Sequence, residues 1–225
     1  MIDVGGTHVK VLATGQKTPV KIPSGSTMTA AQMVAAVKKA STGWKFDRVA
    51  IGFPGPVVKG KPAAEPRNLG KGWVSFDFAR AFGRPTRITN DAAMQALGSY
   101  NGGRMLFLGL GTGLGSALVI NGILEPMELA HLPYKNGCSY EDYVGLRGLE
   151  RLGKKKWRKE VKQVVALLRA AMVADDVVIG GGNAKKLKEL PPGARLGENA
   201  NAFLGGFRLW DEAGAEPRGR ARRVS

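Results

Sequence analysis

Two stretches of the chain share one pattern, and this repeat constrains the fold more than any other feature. Residues 2–15 and 105–122 each contain an apolar segment, a turn with Gly-Thr, a second apolar segment and a glycine. Apolar runs bounded by glycine turns are typical of strands. Each copy opens one half of the chain, and further strand and helix patterns follow it. The repeat therefore favours two similar α/β lobes with a cleft between them.

The length of 225 residues suits two such lobes and a tail. We expect a first α/β lobe over residues 1–100 and a second over residues 101–210. Residues 211–225 are rich in proline, glycine and arginine, a composition that is typical of disorder.

Several helices can be placed on these lobes. Residues 29–40 predict a helix, in which Thr29 and Gln32 have the spacing of a capping box. Residues 141–152 and 154–172 predict two more. The segment "DDVVIGGGNAKKLKEL" predicts a strand, a glycine turn and a helix.

Composition excludes several classes of protein. No apolar run approaches the ~18 residues that a membrane span requires. The first residues lack the pattern of a secretory signal. The single cysteine, Cys138, excludes an internal disulfide and a cysteine-rich zinc site. We therefore expect a cytoplasmic protein without a membrane partner.

The charge is unusual, because lysine and arginine exceed aspartate and glutamate by 16. Such an excess favours a polyanionic partner. It is concentrated in residues 147–162, where eight basic residues stand against two acidic ones. This stretch is either a binding track for a polyanion or a solvated helix face, and the sequence leaves both interpretations open.

Three glycine turns are candidate phosphate sites, at residues 5–7, 111–113 and 180–182. Phosphate oxygens need several N–H groups at close range, and a Cβ would block that approach. The alternative is a hairpin turn that merely requires positive φ. The third turn precedes a predicted helix, whose N-terminus would attract an anion. None of the three has the spacing of a Walker loop.

Two polar pairs are candidate substrate ligands. Asn90 and Asp91 follow a predicted strand, where Asp91 is either a helix N-cap or a base that takes a proton from a bound hydroxyl. Glu128 and His131 are three residues apart, so in a helix or turn they face the same way and either bind adjacent hydroxyls of a polyol or have a structural role. Zinc is weakly supported, because no further His or Cys lies at ligand spacing.

These motifs carry a resemblance to a known family. "DVGGTHVK", "GFPGPV", "TNDAAMQALG", "GLGTGLGSALVINGILEPMELAHL" and "VIGGGNAKK" occur in the order seen in the ROK family of sugar kinases. The chain most resembles its polyphosphate glucokinase branch. The resemblance implies an actin-like, hexokinase-like α/β fold, in which two ribonuclease H-like lobes enclose a central cleft.

The resemblance also implies roles for single residues. Asp91 matches the catalytic base that deprotonates the sugar 6-hydroxyl, and Asp3 would lie near a Mg²⁺ ion. The matching sugar-binding residues are Asn90, Glu128, His131 and Glu141. The matching phosphate-binding residues are Gly5, Gly6, Thr7, Lys10, Gly111, Thr112, Gly113 and Gly181.

The expected function is Mg²⁺-dependent phosphoryl transfer to the 6-hydroxyl of glucose or a related hexose. The charge favours inorganic polyphosphate as the donor. Its expected track consists of Lys154, Lys155, Lys156, Arg158 and Lys159, with Lys185, Lys186 and Lys188 as further candidates.

Two alternatives remain. One is an ATP-dependent ROK hexokinase. The other is a non-enzymatic polyanion-binding or nucleic-acid-binding protein on an actin-like scaffold, which no helix-turn-helix or RNP-type motif supports. We expect a homodimer with no specific nucleic-acid partner. Many ROK members carry a cysteine-rich zinc motif after the histidine; this chain lacks it, so no zinc is expected. Ala130 stands where the family usually has glycine.

Overall fold

We analysed a computed structural model that describes residues 1–198 and 200–211. The predicted tail lies outside the described residues from position 212 onward. The strands are β1 (Ile2–Val4), β2 (His8–Val11), β3 (Val20–Pro23), β4 (Val49–Phe53), β5 (Val57–Val58), β6 (Lys61–Pro62), β7 (Thr86–Asn90), β8 (Arg104–Leu110), β9 (Leu114–Ile120), β10 (Ile123–Met127), β11 (Pro133–Lys135), β12 (Cys138–Ser139), β13 (Asp176–Gly180) and β14 (Ala194–Leu196). The α-helices are α1 (Ala30–Ala40), α2 (Phe78–Phe82), α3 (Asp91–Ser99), α4 (Tyr140–Val144), α5 (Leu146–Ala171) and α6 (Asn201–Arg208).

Two five-stranded sheets have the same topology. The first has the order β3-β2-β1-β4-β7 and the second the order β10-β9-β8-β13-β14. In each sheet, three successive strands form an antiparallel meander. A later strand pairs in parallel with the first strand of the meander, and another pairs in parallel with that strand at the edge. The predicted repeat is therefore real, and the duplicated α/β fold is confirmed.

The inner strands are apolar because helices cover them. Every residue of β4 is buried, as expected for a parallel strand packed on both faces. Helix α1 buries Met33, Val34 and Val37 against the first sheet. Its predicted capping box is confirmed, since the Thr29 N–H donates to Gln32 Oε1 at 2.9 Å and the Gln32 N–H donates back to Thr29 Oγ1 at 3.3 Å.

Helix α5 carries the basic stretch and covers the second sheet. Its apolar stripe buries Trp157, Val161 and Leu168, while lysines occupy the other face. The helix is broken at Gly153, which has a φ of 71°. The predicted break between residues 152 and 154 is confirmed. A second break at Gly145 separates α4, which the sequence analysis had joined to the following turns.

The helix predicted after the third glycine turn is wrong. Only a three-residue 3₁₀ turn, Ala184–Lys186, follows β13. Leu187 has extended backbone angles, and Pro191 and Pro192 follow shortly before β14. Prolines lack the N–H that a helix needs, so the chain crosses to the edge strand in an irregular path.

Two helices join the lobes. Helix α3 follows β7 of the first sheet and packs Ala93 and Ala96 against Phe107 and Ala117 of the second. Helix α6, which the sequence analysis did not predict, returns to α3, and Phe203 packs there with residues of the first sheet. We propose that the boundary between the two lobes lies near residue 100. Among the described helices, none combines the length and the apolar character of a membrane span.

Candidate active site between the two glycine turns

The first glycine turn joins β1 to β2. The Gly5 N–H donates to the His8 carbonyl at 3.1 Å, and Ser24 Oγ donates to the Gly5 carbonyl at 2.6 Å. A Cβ on Gly6 would lie 2.9 Å from the Asn68 side chain. Neither glycine has positive φ. Within residues 1–198 and 200–211, the amides of Gly6 and Thr7 have no acceptor.

The second glycine turn joins β8 to β9 in the same manner. The Gly111 N–H donates to the Gly113 carbonyl at 3.1 Å, and within the described ranges the amides of Thr112 and Gly113 have no acceptor. A Cβ on Gly113 would collide with the Glu141 carboxylate. Neither Gly111 nor Gly113 has positive φ. The interpretation that these turns only accommodate positive φ is therefore wrong, because glycine serves close approach here.

The third glycine turn supports the second one. The Asn183 N–H donates to the Leu110 carbonyl at 2.8 Å, and Asn183 Nδ2 donates to the Gly111 carbonyl at 2.9 Å. Gly181 does have positive φ, at 83°. Since no α-helix follows the third turn, this turn does not provide the anion site of a helix N-terminus. Phosphate binding by Gly181 stays a prediction that rests on its position beside the second turn.

Asp91 is the first residue of α3 but is not its cap. Asn90 is the N-cap, and its Oδ1 accepts from the Ala93 N–H at 2.6 Å. Asn90 is also buried, so the cap is well defined. The Asp91 carboxylate accepts from the Ala92 N–H at 2.8 Å, and the residue is exposed. Asp91 is therefore not the N-cap, although its bond to the Ala92 N–H supports the first turn of the helix.

Electrostatics raise the pKa of Asp91 to about 6. The main cause is desolvation of the carboxyl group by the surrounding protein. The Ala92 N–H opposes the shift, while the negative charges of Asp3 and Glu128 raise the pKa further. The structure thus brings together three of the predicted site residues: Asp3 on β1, Asp91 on α3 and Glu128 directly after β10.

Asp3 lies on β1 directly opposite Lys10 on β2. Lys10 Nζ donates to Asp3 Oδ2 at 3.0 Å, and only a fifth of the Asp3 side chain is exposed. Mg²⁺ prefers carboxylate oxygens and needs only one or two of them when phosphate and water complete its shell. Asp3 fits that requirement. Within the described residues, no group of three or more His, Cys, Asp or Glu forms a dedicated protein cage for a metal.

Glu128 and His131 flank a 3₁₀ turn, Leu129–His131. Both side chains are exposed and make no hydrogen bond to a described residue, whereas Leu129 and Ala130 anchor the turn in the core. Ser116 Oγ fixes its start, since it donates to the Met127 carbonyl and accepts from the Leu129 N–H. Two polar side chains are thus presented on a rigid turn, as a hydroxyl-rich ligand requires.

Glu141 lies at the second glycine turn. Its carboxylate accepts from the Leu114 N–H at 3.4 Å and from Arg147 at 3.3 Å. The carboxylate is therefore engaged with protein groups, and its predicted contact with sugar stays a prediction.

The basic residues of α5 lie beside the third glycine turn. Arg158 Nε donates to the Lys186 carbonyl at 2.7 Å, and Lys162 pairs with Glu189 at 2.9 Å. The side chains that face solvent without a carboxylate partner among the described residues are Lys154, Lys155, Lys156 and Lys159. The cationic surface formed by these lysines continues through residues 183–186 towards the second turn.

Three residues that brace the turns were not predicted as site residues: Ser24, Asn68 and Asn183. Asn68 in "NLGKGW" and Asn183 in "VIGGGNAKK" stand within motifs of the ROK resemblance, but neither motif indicates a contact with a glycine turn. A separate cavity of about 470 Å³ lies at the other end of β1, lined by apolar residues such as Trp44, Phe82 and Phe207. Its position at the start of β1, opposite to the turn, separates it from this site.

Comparison with known proteins identifies the family. The sequence model of the ROK family matches residues 1–126, more than half of the chain. This chain belongs to the ROK family.

Individual relatives agree with that assignment. The ROK protein is 30% identical over 216 residues to the polyphosphate glucokinase of Mycobacterium tuberculosis, covering 85% of this chain and 80% of the relative. It is similar in structure to the inorganic polyphosphate/ATP-glucomannokinase from Arthrobacter sp. strain KM, with a TM-score of 0.71, 22% identity and coverage of 91% and 94%. It is also similar to the ROK hexokinase from Thermus thermophilus, with a TM-score of 0.73, 21% identity and coverage of 95% and 98%.

Proposed function

We propose that this ROK protein is a Mg²⁺-dependent kinase that phosphorylates the 6-hydroxyl of glucose, with inorganic polyphosphate as its donor. The observation that carries the proposal is Asp91. Its carboxylate is not the N-cap of α3, the residue is exposed, and the pKa is raised to about 6. A base with a pKa just below neutral is deprotonated at physiological pH and still accepts a proton during reaction.

The acceptor is held by the side chains around Asp91. Glu128 and His131 accept and donate hydrogen bonds to ring hydroxyls, and the Asn90 amide adds a donor, since its Oδ1 serves the helix cap. Asp91 then takes the proton of the 6-hydroxyl as the oxygen attacks the terminal phosphorus. In-line transfer depends on such positioning and on charge neutralisation more than on covalent chemistry.

The donor is held by backbone amides. Four N–H groups, of Gly6, Thr7, Thr112 and Gly113, are available to phosphoryl oxygens. Lys10 adds a positive charge beside Asp3. Bound Mg²⁺ would neutralise charge on the phosphoryl oxygens, and Asp3 is the residue that would hold it, which leaves the Asp91 carboxylate free to act as the base.

The charge of the second lobe supports polyphosphate as the donor. A nucleotide presents a short anionic chain, whereas polyphosphate presents one negative charge per phosphoryl group over its whole length. The exposed lysines of α5 extend the cationic surface well beyond the second turn. The relatedness to a polyphosphate glucokinase supports the same donor. ATP is the second candidate, supported by the likeness to a polyphosphate/ATP-glucomannokinase.

One assay tests the proposal directly. Purified protein is incubated with glucose and Mg²⁺, and glucose 6-phosphate is measured with long-chain polyphosphate and with ATP at equal phosphoryl concentration. We expect product from both, with a higher kcat/KM for polyphosphate. Activity should disappear on chelation and return with Mg²⁺. Absence of glucose 6-phosphate with either donor would contradict the proposed reaction, and a clear preference for ATP would contradict the proposed donor.

We further propose that the protein acts as a homodimer in the cytoplasm. Light scattering after size exclusion should give about twice the chain mass of 23.9 kDa. A mass of one chain would contradict the dimer.

A further inference from the structure

Asn183 joins the end of β13 to the second glycine turn through three hydrogen bonds. Its backbone N–H and its Nδ2 donate to the carbonyls of Leu110 and Gly111, and its Oδ1 accepts from Lys186 Nζ at 2.6 Å. Asn183 is 8% exposed, so these bonds are protected from water. Because the turn carbonyls are held by Asn183, the amides of Thr112 and Gly113 stay unpaired.

Lys186 lies at the end of this chain of hydrogen bonds. Its positive charge has no carboxylate partner among the described residues. Its ammonium donates to the neutral amide oxygen of Asn183, and none of the ion pairs among the described residues includes it. Its backbone carbonyl accepts from Arg158 Nε at 2.7 Å. A cation held by a neutral partner, partly accessible and next to a second cation, is suited to bind an anion.

The position of this cation distinguishes between donors. The Asn183 side chain lies between Lys186 Nζ and the second turn, since it accepts from Lys186 and donates to the Gly111 carbonyl. From this position the ammonium would reach phosphoryl groups beyond those that the turn amides hold. ATP ends there in an uncharged nucleoside. A polyphosphate chain continues with further anions, and Arg158 and the α5 lysines continue the row of cations.

We propose that Lys186 is the donor-binding residue that selects polyphosphate over ATP, and that Asn183 is a positioning residue for both Lys186 and the second glycine turn. This inference rests on the proposed phosphoryl transfer and refines its donor specificity.

The test compares Lys186→Met with Lys39→Met, which removes an exposed lysine on α1 in the first lobe. Lys186→Met should raise the KM for long-chain polyphosphate about tenfold, the loss expected for one charge-assisted hydrogen bond. The KM for ATP should change less than about threefold, and the KM for glucose should not change. Lys186→Arg should restore most of the polyphosphate affinity, and Lys39→Met should leave all three constants as they are.

Asn183→Leu separates positioning from binding. This variant keeps the Lys186 charge but removes both side-chain bonds, so it should lower kcat with polyphosphate and with ATP alike. An equal rise in KM for both donors in Lys186→Met, or no rise in either, would overturn the selectivity. If Asn183→Leu lowered kcat with polyphosphate but not with ATP, the proposed role of Asn183 at the second turn would be wrong.

A binding measurement keeps this inference apart from the reaction itself. Calorimetric titration of long-chain polyphosphate, without glucose, should give a Kd about tenfold weaker for Lys186→Met than for wild type. If wild type forms no glucose 6-phosphate but this difference is present, the reaction is wrong and the polyanion site stands. If wild type is active and the Kd values are equal, the site is wrong and the reaction stands.

Discussion

The two lobes repeat one sheet topology, yet their glycine turns stand in different chemical surroundings. The first turn follows a strand of three residues, and two acidic side chains lie near it, Asp3 on β1 and Asp91 on α3. The second turn follows a strand of seven residues, and the cations Lys186 and Arg158 lie behind it. Both turns offer unpaired backbone amides.

This difference shows how a duplicated fold acquires two functions. The repeated strands supply the same anion-binding backbone twice. In the proposed reaction, Asp3 and, from outside the repeat, Asp91 would make the first turn suitable for a metal and an acceptor, while Lys186 and Arg158 would make the second suitable for a polyanionic donor. Substitutions at the first turn should therefore affect chemistry and metal dependence, and those at the second should affect the donor.

Asp91→Asn should have the largest effect. It removes the general base, so kcat should fall ~10²–10⁴-fold. The fold should survive, because Asn90 caps the helix. A matched control is Asp77→Asn at the N-cap of α2, which lies in the first lobe and should leave kcat unchanged. A folded Asp91→Asn protein with more than about a tenth of the wild-type kcat would exclude Asp91 as the base.

The pH dependence sharpens that assignment. Since Asp91 must be deprotonated, kcat/KM should rise with pH through an inflection at about 6. Stability should show the opposite trend. The folded pKa lies above the ordinary value of 3.8, so the folded state binds the proton more tightly, and ionisation destabilises it as pH rises from about 4 to 6. Asp91→Asn should therefore melt at a higher temperature than wild type at pH 7.5, and the difference should vanish near pH 4.

Asp3→Asn should have the next largest effect. The Mg²⁺ concentration for half-maximal rate should rise ~10–100-fold, the usual loss when a metal site loses a supporting group. The inflection in kcat/KM should also move to lower pH, because one negative charge beside Asp91 is gone. Asp47→Asn, an exposed carboxylate paired only with Arg48 among the described residues, serves as the control. An unchanged Mg²⁺ requirement in Asp3→Asn would remove the metal from the first turn.

Two alanine substitutions in the second turn should differ from each other. Gly113→Ala places a Cβ against the Glu141 carboxylate, whereas a Cβ on Gly111 meets nothing within 4 Å. Gly113→Ala should raise the donor KM about tenfold, since displacing Glu141 loses the bond to the Leu114 N–H and shifts the turn. Gly111→Ala should lower the melting temperature less than Gly113→Ala does. Equal melting temperatures for the two variants would show that Glu141 yields easily and does not brace the turn.

The smallest effect should come from the surface lysines. The double reversal Lys155→Glu and Lys156→Glu should raise the KM for long-chain polyphosphate about three- to tenfold, because exposed pairs are each worth ~0.2–1 kcal/mol. High salt should reduce the difference between variant and wild type through screening. The same reversal at Lys38 and Lys39 on α1 is the control. If both doubles behave alike, the α5 lysines form only a solvated helix face.

The sequence predicted the repeat, and with it the fold, because strand–turn–strand segments are local patterns. It also predicted the break at Gly153 and the cap at Thr29 for the same reason. The short 3₁₀ turn after β13 was not predictable, since "NAKKLKEL" has good helical propensity and tertiary contacts decide its path. Helix α6 was missed because Gly205 and Gly206 lower its propensity, although the fold needs a close approach there.

The sequence predicted which residues belong to the candidate site, but not how their side chains are arranged in space. Asp91 was placed correctly at the start of a helix, yet only the structure assigns the cap to Asn90. Glu141 was grouped with the sugar ligands by resemblance, and its contact with the second turn depends on folding of α4 against β9. Asn183 stands within "VIGGGNAKK", but its bracing role has no local signal, because the two turn carbonyls that it holds lie more than 70 positions away in the chain.

The return of α6 to α3 has a consequence for biosynthesis. Asn201 bonds to Ser99 across 102 positions, and Arg208 Nη1 bonds to the last carbonyls of α3, including those of Leu97 and Tyr100. At ~5–20 residues per second, the ribosome makes α3 roughly 5–20 seconds before its partner helix. During that interval the apolar face around Met94 and Ala50 is uncovered. The nascent first lobe therefore exposes this apolar surface until α6 has been made.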